Sequence, residues 1–160
     1  MKKIACVLAL MSASCIANAE GLDARQFYLG GGFNFNSLPG VGSARGFQFF
    51  GGYDFKFKIN DDISTALEIG YLDSGNFDRL NNVGRADDVT GGWAALVESV
   101  PLSSKTNMLV RLGYDFGDDD GLLMGAGLQY KFDTKVAFRM EYVTREHLNG
   151  LQANLLVHFN

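Results

Sequence analysis

The chain has 160 residues, a formal net charge of −4, 20 glycines, 13 phenylalanines and only two prolines. That length allows one ordinary domain, and the acidic balance argues against a nucleic-acid partner, which requires a basic surface to neutralise phosphates. After the first 19 residues no stretch reaches 18 consecutive apolar residues, so the sequence does not predict a transmembrane helix.

The first 19 residues have the organisation of a secretory signal peptide. Lys2 and Lys3 form a positive n-region, residues 4–11 are apolar, and Ala17-Asn18-Ala19 fits a small-x-small cleavage pattern. We predict cleavage after Ala19, which leaves a barrel domain over residues 20–160. Twelve basic and eighteen acidic residues remain in that domain, so its formal net charge is −6.

Both cysteines of the chain, Cys6 and Cys15, fall within the predicted signal peptide. Lipid attachment at Cys15 is an alternative, but Ser12 stands where a lipobox has a branched aliphatic residue. The remaining domain therefore has no disulfides, although small exported domains often depend on them. A closed ladder of backbone hydrogen bonds inside a bilayer is another way to hold such a chain together.

From Phe27 onward the sequence alternates between an apolar face and a face of polar and small residues. The alternation covers eight segments of roughly 9–12 residues, the length of a tilted transmembrane strand. Each predicted apolar face consists of every second residue in one range, starting with its first residue. The ranges are Phe27 to Phe35, Phe47 to Phe55, Thr65 to Tyr71, Gly91 to Val97, Met108 to Phe116, Met124 to Phe132, Val136 to Tyr142 and Leu151 to Phe159. In the fourth segment this assignment places Trp93 and Val97 on the apolar face and Glu98 on the polar face.

All ten charged residues in these segments fall on the predicted polar face, with a formal sum of zero. They are Asp54, Glu68, Glu98, Asp115, Glu141, Lys56, Arg111, Lys131, Arg139 and Arg145. Glycines cluster on the same face, where they would make room for long charged side chains in a narrow interior. Aromatic residues recur at the ends of the apolar faces, as in the girdles of membrane barrels.

These features predict an all-β fold, an eight-stranded antiparallel up-and-down transmembrane β-barrel with its polar face inward. The alternative is a soluble, lipocalin-like barrel, in which the apolar face points inward. The predicted connections alternate in length, and residues 37–45, 73–88, 118–121 and 146–149 form the loops at one end. Long loops of bacterial barrels face outward, so both termini are expected on the periplasmic side.

Several motifs of the chain resemble a known family. They are Phe27-Tyr28-Leu29-Gly30-Gly31-Gly32, Leu67-Glu68-Ile69-Gly70-Tyr71, Val100-Pro101-Leu102-Ser103, Gly125-Ala126-Gly127-Leu128-Gln129-Tyr130-Lys131-Phe132 and Arg139-Met140-Glu141-Tyr142. The chain thereby resembles the OmpA-like outer-membrane β-barrel family, of the small eight-stranded type without a peptidoglycan-binding domain. The resemblance implies an integral protein in the outer membrane of a Gram-negative bacterium.

In that family, interior acidic and basic residues form a salt-bridged network that closes the barrel. The resemblance implies this role for Glu68, Arg111, Lys131, Arg139 and Glu141, and the strand alternation adds Glu98. The family's last strand usually ends in an aromatic residue that the barrel-assembly machinery reads. Phe159 takes that position here, although Asn160 follows it.

Other chemistry finds little support in the sequence. His147 and His158 lie apart, and Asn149 stands where a lipid A deacylase barrel has a serine two residues after its histidine. We therefore predict no enzyme and no cofactor. Asp118, Asp119 and Asp120 resemble part of a calcium loop but lack its alternating ligands and terminal glutamate, so a solvated acidic tip is favoured over a weak divalent-ion site.

The sequence leads to a ranked set of functions. The first is a structural outer-membrane barrel that supports envelope integrity, with its lumen closed by the salt-bridge network. The alternatives are a surface adhesin acting through residues 73–88, and a narrow porin-like ion channel. The expected partners are outer-membrane lipid, lipopolysaccharide and the barrel-assembly machinery, and the expected oligomeric state is a monomer.

Overall fold

The computed structural model describes residues 23–38, 42–58, 63–77 and 88–159, with the backbone alone for residues 56–58. The predicted signal peptide with its cleavage site at Ala19 lies outside the described residues. The same holds for Asn160 and for the side chain of Lys56. Among the described residues, no helix has the length and apolar character needed to cross a membrane.

The described chain forms a closed barrel of strands after one short 3-10 turn, Ala24–Gln26. The strands are β1 (Phe27–Leu38), β2 (Gly42–Lys58), β3 (Ser64–Asp73), β4 (Thr90–Pro101), β5 (Thr106–Gly117), β6 (Gly121–Lys131), β7 (Val136–Thr144) and β8 (Asn149–His158). Each strand pairs antiparallel with the next, and β8 closes the barrel by pairing antiparallel with β1. The predicted eight-stranded up-and-down topology is confirmed.

Exposure of the side chains decides which face points inward. Phe33 and Ile69 on the apolar face are 70% and 62% exposed, whereas their neighbours Asn34 and Glu68 are 0% exposed. An apolar outer surface is stable only against lipid, because a soluble barrel hides its apolar face. The soluble, lipocalin-like alternative is therefore excluded.

Glycines sit directly opposite many of the large inward side chains. In the strand register the aromatic pairs are Gly30–Phe50, Gly52–Tyr28 and Gly70–Trp93, the amide pairs are Gly32–Asn154, Gly46–Asn34 and Gly150–Asn36, and the charged pairs are Gly52–Glu68, Gly125–Arg111 and Gly127–Glu141. In each of these pairs except Gly52–Glu68, a Cβ atom on the glycine would lie within 3.0 Å of the partner's side chain, so the glycine provides the space that this side chain occupies. The prediction that small residues make room inside a narrow barrel is confirmed in detail.

Strand β4 faces the opposite way from the prediction. Trp93 is 1% exposed and Val97 is also buried, whereas Leu96 is 51% exposed. The register of β3 with β4 pairs inward Glu68 with Ala95, so odd-numbered residues of β4 point inward and Glu98 points outward. The alternation predicted the wrong inward face for β4 because apolar residues occur at both odd and even positions of this strand. Gly70, opposite Trp93, supplies the space that the indole needs.

The first predicted loop, residues 37–45, is shorter than expected. β1 and β2 stay paired as far as Leu38 with Gly42. The connections that follow β1, β3, β5 and β7 lie at what we call the long-loop end of the barrel, and the connections that precede β3, β5 and β7 lie at the short-turn end. In the β6–β7 turn, hydrogen bonds from the main-chain amides of Lys135 and Val136 hold the pKa of Asp133 below its usual range.

Candidate functional site in the lumen

Four charged side chains meet in the middle of the barrel. Glu68 from β3, Arg111 from β5, and Arg139 and Glu141 from β7 are buried and form what we call the charged quartet. Glu68 Oε2 lies 2.6 Å from Arg111 Nη2, and Glu68 Oε1 lies 2.5 Å from Arg139 Nη1. Glu141 Oε2 lies 2.9 Å from Arg111 Nε, and its Oε1 lies 3.3 Å from Arg139 Nη1. The quartet is thus a closed ring of alternating charge with no net charge.

Further hydrogen bonds hold the quartet in one arrangement. The Tyr28 hydroxyl donates to Glu68 Oε1 at 2.6 Å, and Arg139 Nε donates to Gln129 Oε1 at 3.0 Å. Removing an ion from water costs several kcal/mol unless partners and hydrogen bonds compensate it. These extra partners give Arg139 Nε an acceptor and Glu68 a further donor, whereas the buried Arg111 Nη1 has no hydrogen-bond partner among the described residues.

Three inward aromatic rings pack against the guanidinium groups. Arg111 Cζ lies 4.9 Å from the centre of the Trp93 ring, a distance typical of a cation–π contact. Arg139 Cζ lies 5.7 Å from the ring of Phe50 and 5.9 Å from that of Tyr28. The quartet and these rings together fill the lumen at its middle.

A second ion pair lies between the quartet and the long-loop end. Arg145 Nε is 2.9 Å from Asp115 Oδ2, and both side chains are nearly inaccessible to solvent. Leu123 and Val143, both buried and inward-facing, belong to the strands next to these charges. The alternation placed Asp115 and Arg145 on the inner face correctly, although the predicted network did not include them.

Buried amides occupy the rest of the lumen toward the long-loop end. Gln48 Nε2 donates to Gln152 Oε1 at 2.8 Å and to Asn154 Oδ1 at 2.9 Å. Asn36 Nδ2 donates to Asn34 Oδ1 at 2.7 Å and to the main-chain oxygen of Ser74 at 3.0 Å. Sequence reasoning missed these residues because it searched for charge. The signal that would have found most of them is an amide on the inward face opposite a glycine, which holds for Asn34, Asn36, Gln48 and Asn154, whereas Gln152 lies opposite Asn34 and Glu141.

Two residues of the predicted network lie elsewhere. Lys131 is exposed at the short-turn end, where it lines a cavity of about 600 Å³ together with Asp54 and His158. His158 Nε2 and Asp54 Oδ2 are 4.0 Å apart in that cavity. The prediction that Glu98 belongs to the interior network is wrong, because Glu98 faces outward and contacts Thr65 rather than the quartet. Four of the six predicted residues therefore come together.

The carboxylates of the predicted acidic tip bind the neighbouring loops. Asp118 Oδ2 accepts from the amide and hydroxyl of Thr90, at 2.9 and 3.1 Å. Buried Asp119 accepts from the amides of His147 and Leu148 at 3.0 and 3.2 Å, and its Oδ1 lies 2.9 Å from His147 Nδ1. Within the described ranges, no group of three or more histidine, cysteine, aspartate or glutamate side chains could hold a metal. The geometry assigns Asp118 and Asp119 to loop anchoring.

Replacing Asp119 with alanine should loosen the β7–β8 loop while leaving the barrel folded. Two main-chain amides lose their acceptor, and an unmet buried donor costs about 1–3 kcal/mol. We expect the amides of His147 and Leu148 to exchange with deuterium at least about fivefold faster, measured by NMR in detergent micelles. The matched control is Asp120→Ala, because the Asp120 side chain bonds Tyr114 instead. Equal exchange rates in both variants would contradict the assigned anchoring role.

The model of the outer membrane protein beta-barrel domain matches residues 6–157 of the sequence. The chain belongs to this family. It is therefore an integral outer membrane protein of a Gram-negative bacterium, as the sequence predicted. No curated protein matches the sequence.

Solved structures support the same fold for this outer membrane barrel. Ail, the attachment invasion locus protein of Yersinia pestis, is 13% identical with a TM-score of 0.53, and the match covers 82% of this chain and 95% of Ail. Neisserial surface protein A is 17% identical with a TM-score of 0.53, over 88% of this chain and 100% of that chain. A transmembrane β-barrel designed de novo reaches the same TM-score at 13% identity, over 82% and 94%. Because a designed barrel is as similar to this chain as the natural proteins are, these similarities show the fold alone.

Proposed function

We propose that this outer membrane barrel is a structural protein that supports envelope integrity, and that its lumen is closed to solutes. The main support for a closed lumen is the charged quartet. Its carboxylates and guanidinium groups face one another across the lumen at 2.5–3.3 Å, so a hydrated ion would have to separate paired charges to pass. Separating buried ion pairs costs several kcal/mol, which favours a permanent closure over a pore.

The proposed role requires no catalysis and no cofactor. His147 and His158 lie at opposite ends of the described barrel, and their carboxylate contacts are Asp119 and Asp54. The expected partners are outer-membrane lipid and lipopolysaccharide along the apolar outer surface, and the barrel-assembly machinery during insertion, for which Phe159 is the expected signal. Phe159 is exposed, and its amide donates to the main-chain oxygen of Phe27 at the seam of the barrel. We expect a monomer.

Conductance across a planar lipid bilayer tests the proposal. We expect no single-channel steps from the wild-type protein, because the quartet closes the lumen. Arg111→Ala removes the guanidinium that contacts both Glu68 and Glu141, and we expect it to produce discrete conductance steps. Arg45→Ala is the matched control, since Arg45 lies on the exposed face of β2, outside the lumen.

The outcomes separate the candidate functions. Regular conductance steps from the wild-type protein would overturn the closed-lumen proposal in favour of the narrow porin-like channel. A silent wild type with a conducting Arg111→Ala variant supports closure by the quartet. Each protein should first show a mobility difference between boiled and unboiled samples in SDS, which establishes that the barrel has folded.

A further inference from the structure

The lipid-facing surface carries very few charges. Among the described side chains of the strands, the outward-facing charged residues are Arg45, Asp73 and Glu98. Arg45 and Asp73 lie at the long-loop end, where Asp73 Oδ1 accepts from the amide of Gly75 at 2.9 Å and Arg45 Cζ lies 5.9 Å from the Phe35 ring. Glu98 lies at the other end, three residues before β4 ends at Pro101.

Among the described side chains of this surface, Glu98 has one polar neighbour. In the strand register it lies opposite Thr65 on β3 and Val110 on β5. Thr65 Oγ1 is 3.0 Å from both Oε1 and Oε2 of Glu98. The next outward positions on β3 and β4 are Leu67 and Leu96, both exposed and apolar. The carboxylate therefore lies at the short-turn edge of an apolar belt, where the Thr65 hydroxyl is its hydrogen-bond partner among the described side chains.

A carboxylate in that position favours a cation from the surrounding medium. Two carboxylate oxygens offer about four acceptor sites, and Thr65 uses a small part of that capacity. The other partners at the same depth are lipid headgroups, since longer loops of bacterial barrels face outward and the short-turn end lies at the periplasmic leaflet. A headgroup amine brings a positive charge and three N–H donors, whereas a purely anionic headgroup would be repelled.

We propose that Glu98 and Thr65 form a binding site for the protonated amine of a phospholipid headgroup in the periplasmic leaflet. The amine donates to the Glu98 carboxylate, which Thr65 holds against the barrel wall. The acyl chains of the same lipid lie along the apolar surface formed by Leu67, Leu96 and Val110. The site would retain one amine-bearing lipid at a defined position between β3 and β5.

Native mass spectrometry of the detergent-solubilised full-length barrel tests this site. The protein is titrated with phosphatidylethanolamine, which has a primary amine, and separately with phosphatidylglycerol, which has none. We expect Glu98→Gln to bind the first phosphatidylethanolamine about threefold more weakly than wild type, the size of a partly exposed ionic contact. Glutamine keeps the acceptor for Thr65, so the variant should fold, and the heat-dependent mobility in SDS checks this.

Two comparisons make the result decisive. Arg45→Gln changes a charge at the opposite end of the same surface, so its affinity for phosphatidylethanolamine should equal that of wild type. Affinity for phosphatidylglycerol should be unchanged or higher in Glu98→Gln. The proposal is overturned if Glu98→Gln binds phosphatidylethanolamine as tightly as the wild type does. It is also overturned if Glu98→Gln loses affinity for phosphatidylethanolamine and phosphatidylglycerol to the same extent.

Discussion

Replacing Glu68 with alanine is expected to lower the free energy of unfolding by about 3–5 kcal/mol, the largest effect of any substitution considered for this barrel. Glu68 is the partner of Arg111 at 2.6 Å, of Arg139 at 2.5 Å and of the Tyr28 hydroxyl at 2.6 Å. Without it, two buried guanidinium groups share Glu141 alone and carry an uncompensated positive charge. Removing one partner of a buried ion pair lowers the free energy of unfolding by more than the intact pair contributes to it.

Urea unfolding in lipid vesicles measures this loss. Trp93 is the single tryptophan of the chain, is buried, and packs against Arg111, so its fluorescence reports directly on the quartet. Glu98→Ala is the control, because it removes a carboxylate of the same type from the outer surface. A loss below about 1 kcal/mol for Glu68→Ala, within the range of surface ion pairs, would mean that the quartet does not stabilise the barrel.

Placing a methyl group at Gly52 is expected to cost about 3 kcal/mol, since overpacking and the loss of a charged hydrogen bond add together. A Cβ atom at this position would lie 2.1 Å from Tyr28 Cζ and 2.5 Å from its hydroxyl oxygen. The ring must move away from the wall of the barrel, and it then loses the hydrogen bond to Glu68. A small change on β2 thereby disturbs the quartet through a residue of β1.

Gly51→Ala provides the matched control for this substitution. Gly51 is the preceding residue of the same strand, and a Cβ there would lie 3.6 Å from Leu29 Cδ2, an ordinary contact. We expect its urea midpoint to stay close to that of wild type, whereas Gly52→Ala shifts to lower urea. Equal midpoints would show that glycine matters here for strand conformation in general and not for the space under Tyr28.

Local alternation determines much of this fold because its signal lies within each strand. A residue in a β-strand faces opposite to its neighbours, so one clear polar residue assigns a whole segment. Glu68 between Leu67 and Ile69, and Arg139 between Phe138 and Met140, leave no doubt about their faces. From such segments the sequence alone predicts the barrel, its inverted polarity and the inward position of the quartet.

The same reasoning fails where both faces of a strand are apolar. In β4, Trp93 and Val97 compete with Leu96, and the only charge, Glu98, lies near the end of the strand. Large aromatic residues are also typical of lipid-facing surfaces, so Trp93 was expected outside. Its true position depends on Gly70 of the neighbouring strand, and composition within β4 carries no information about that glycine.

The sequence by itself determined the membrane barrel, the faces of seven strands and the pool of charges that enter the lumen. Only the tertiary structure decided which of those charges meet. Glu68 lies 43 residues from Arg111 and 71 residues from Arg139, and their contact depends on the register of every strand pair around the closed barrel. The same registers leave Lys131 at the short-turn end and turn Glu98 toward the outer surface. Alternation is a property of neighbours along one strand, whereas pairing across the lumen is a property of the closed sheet.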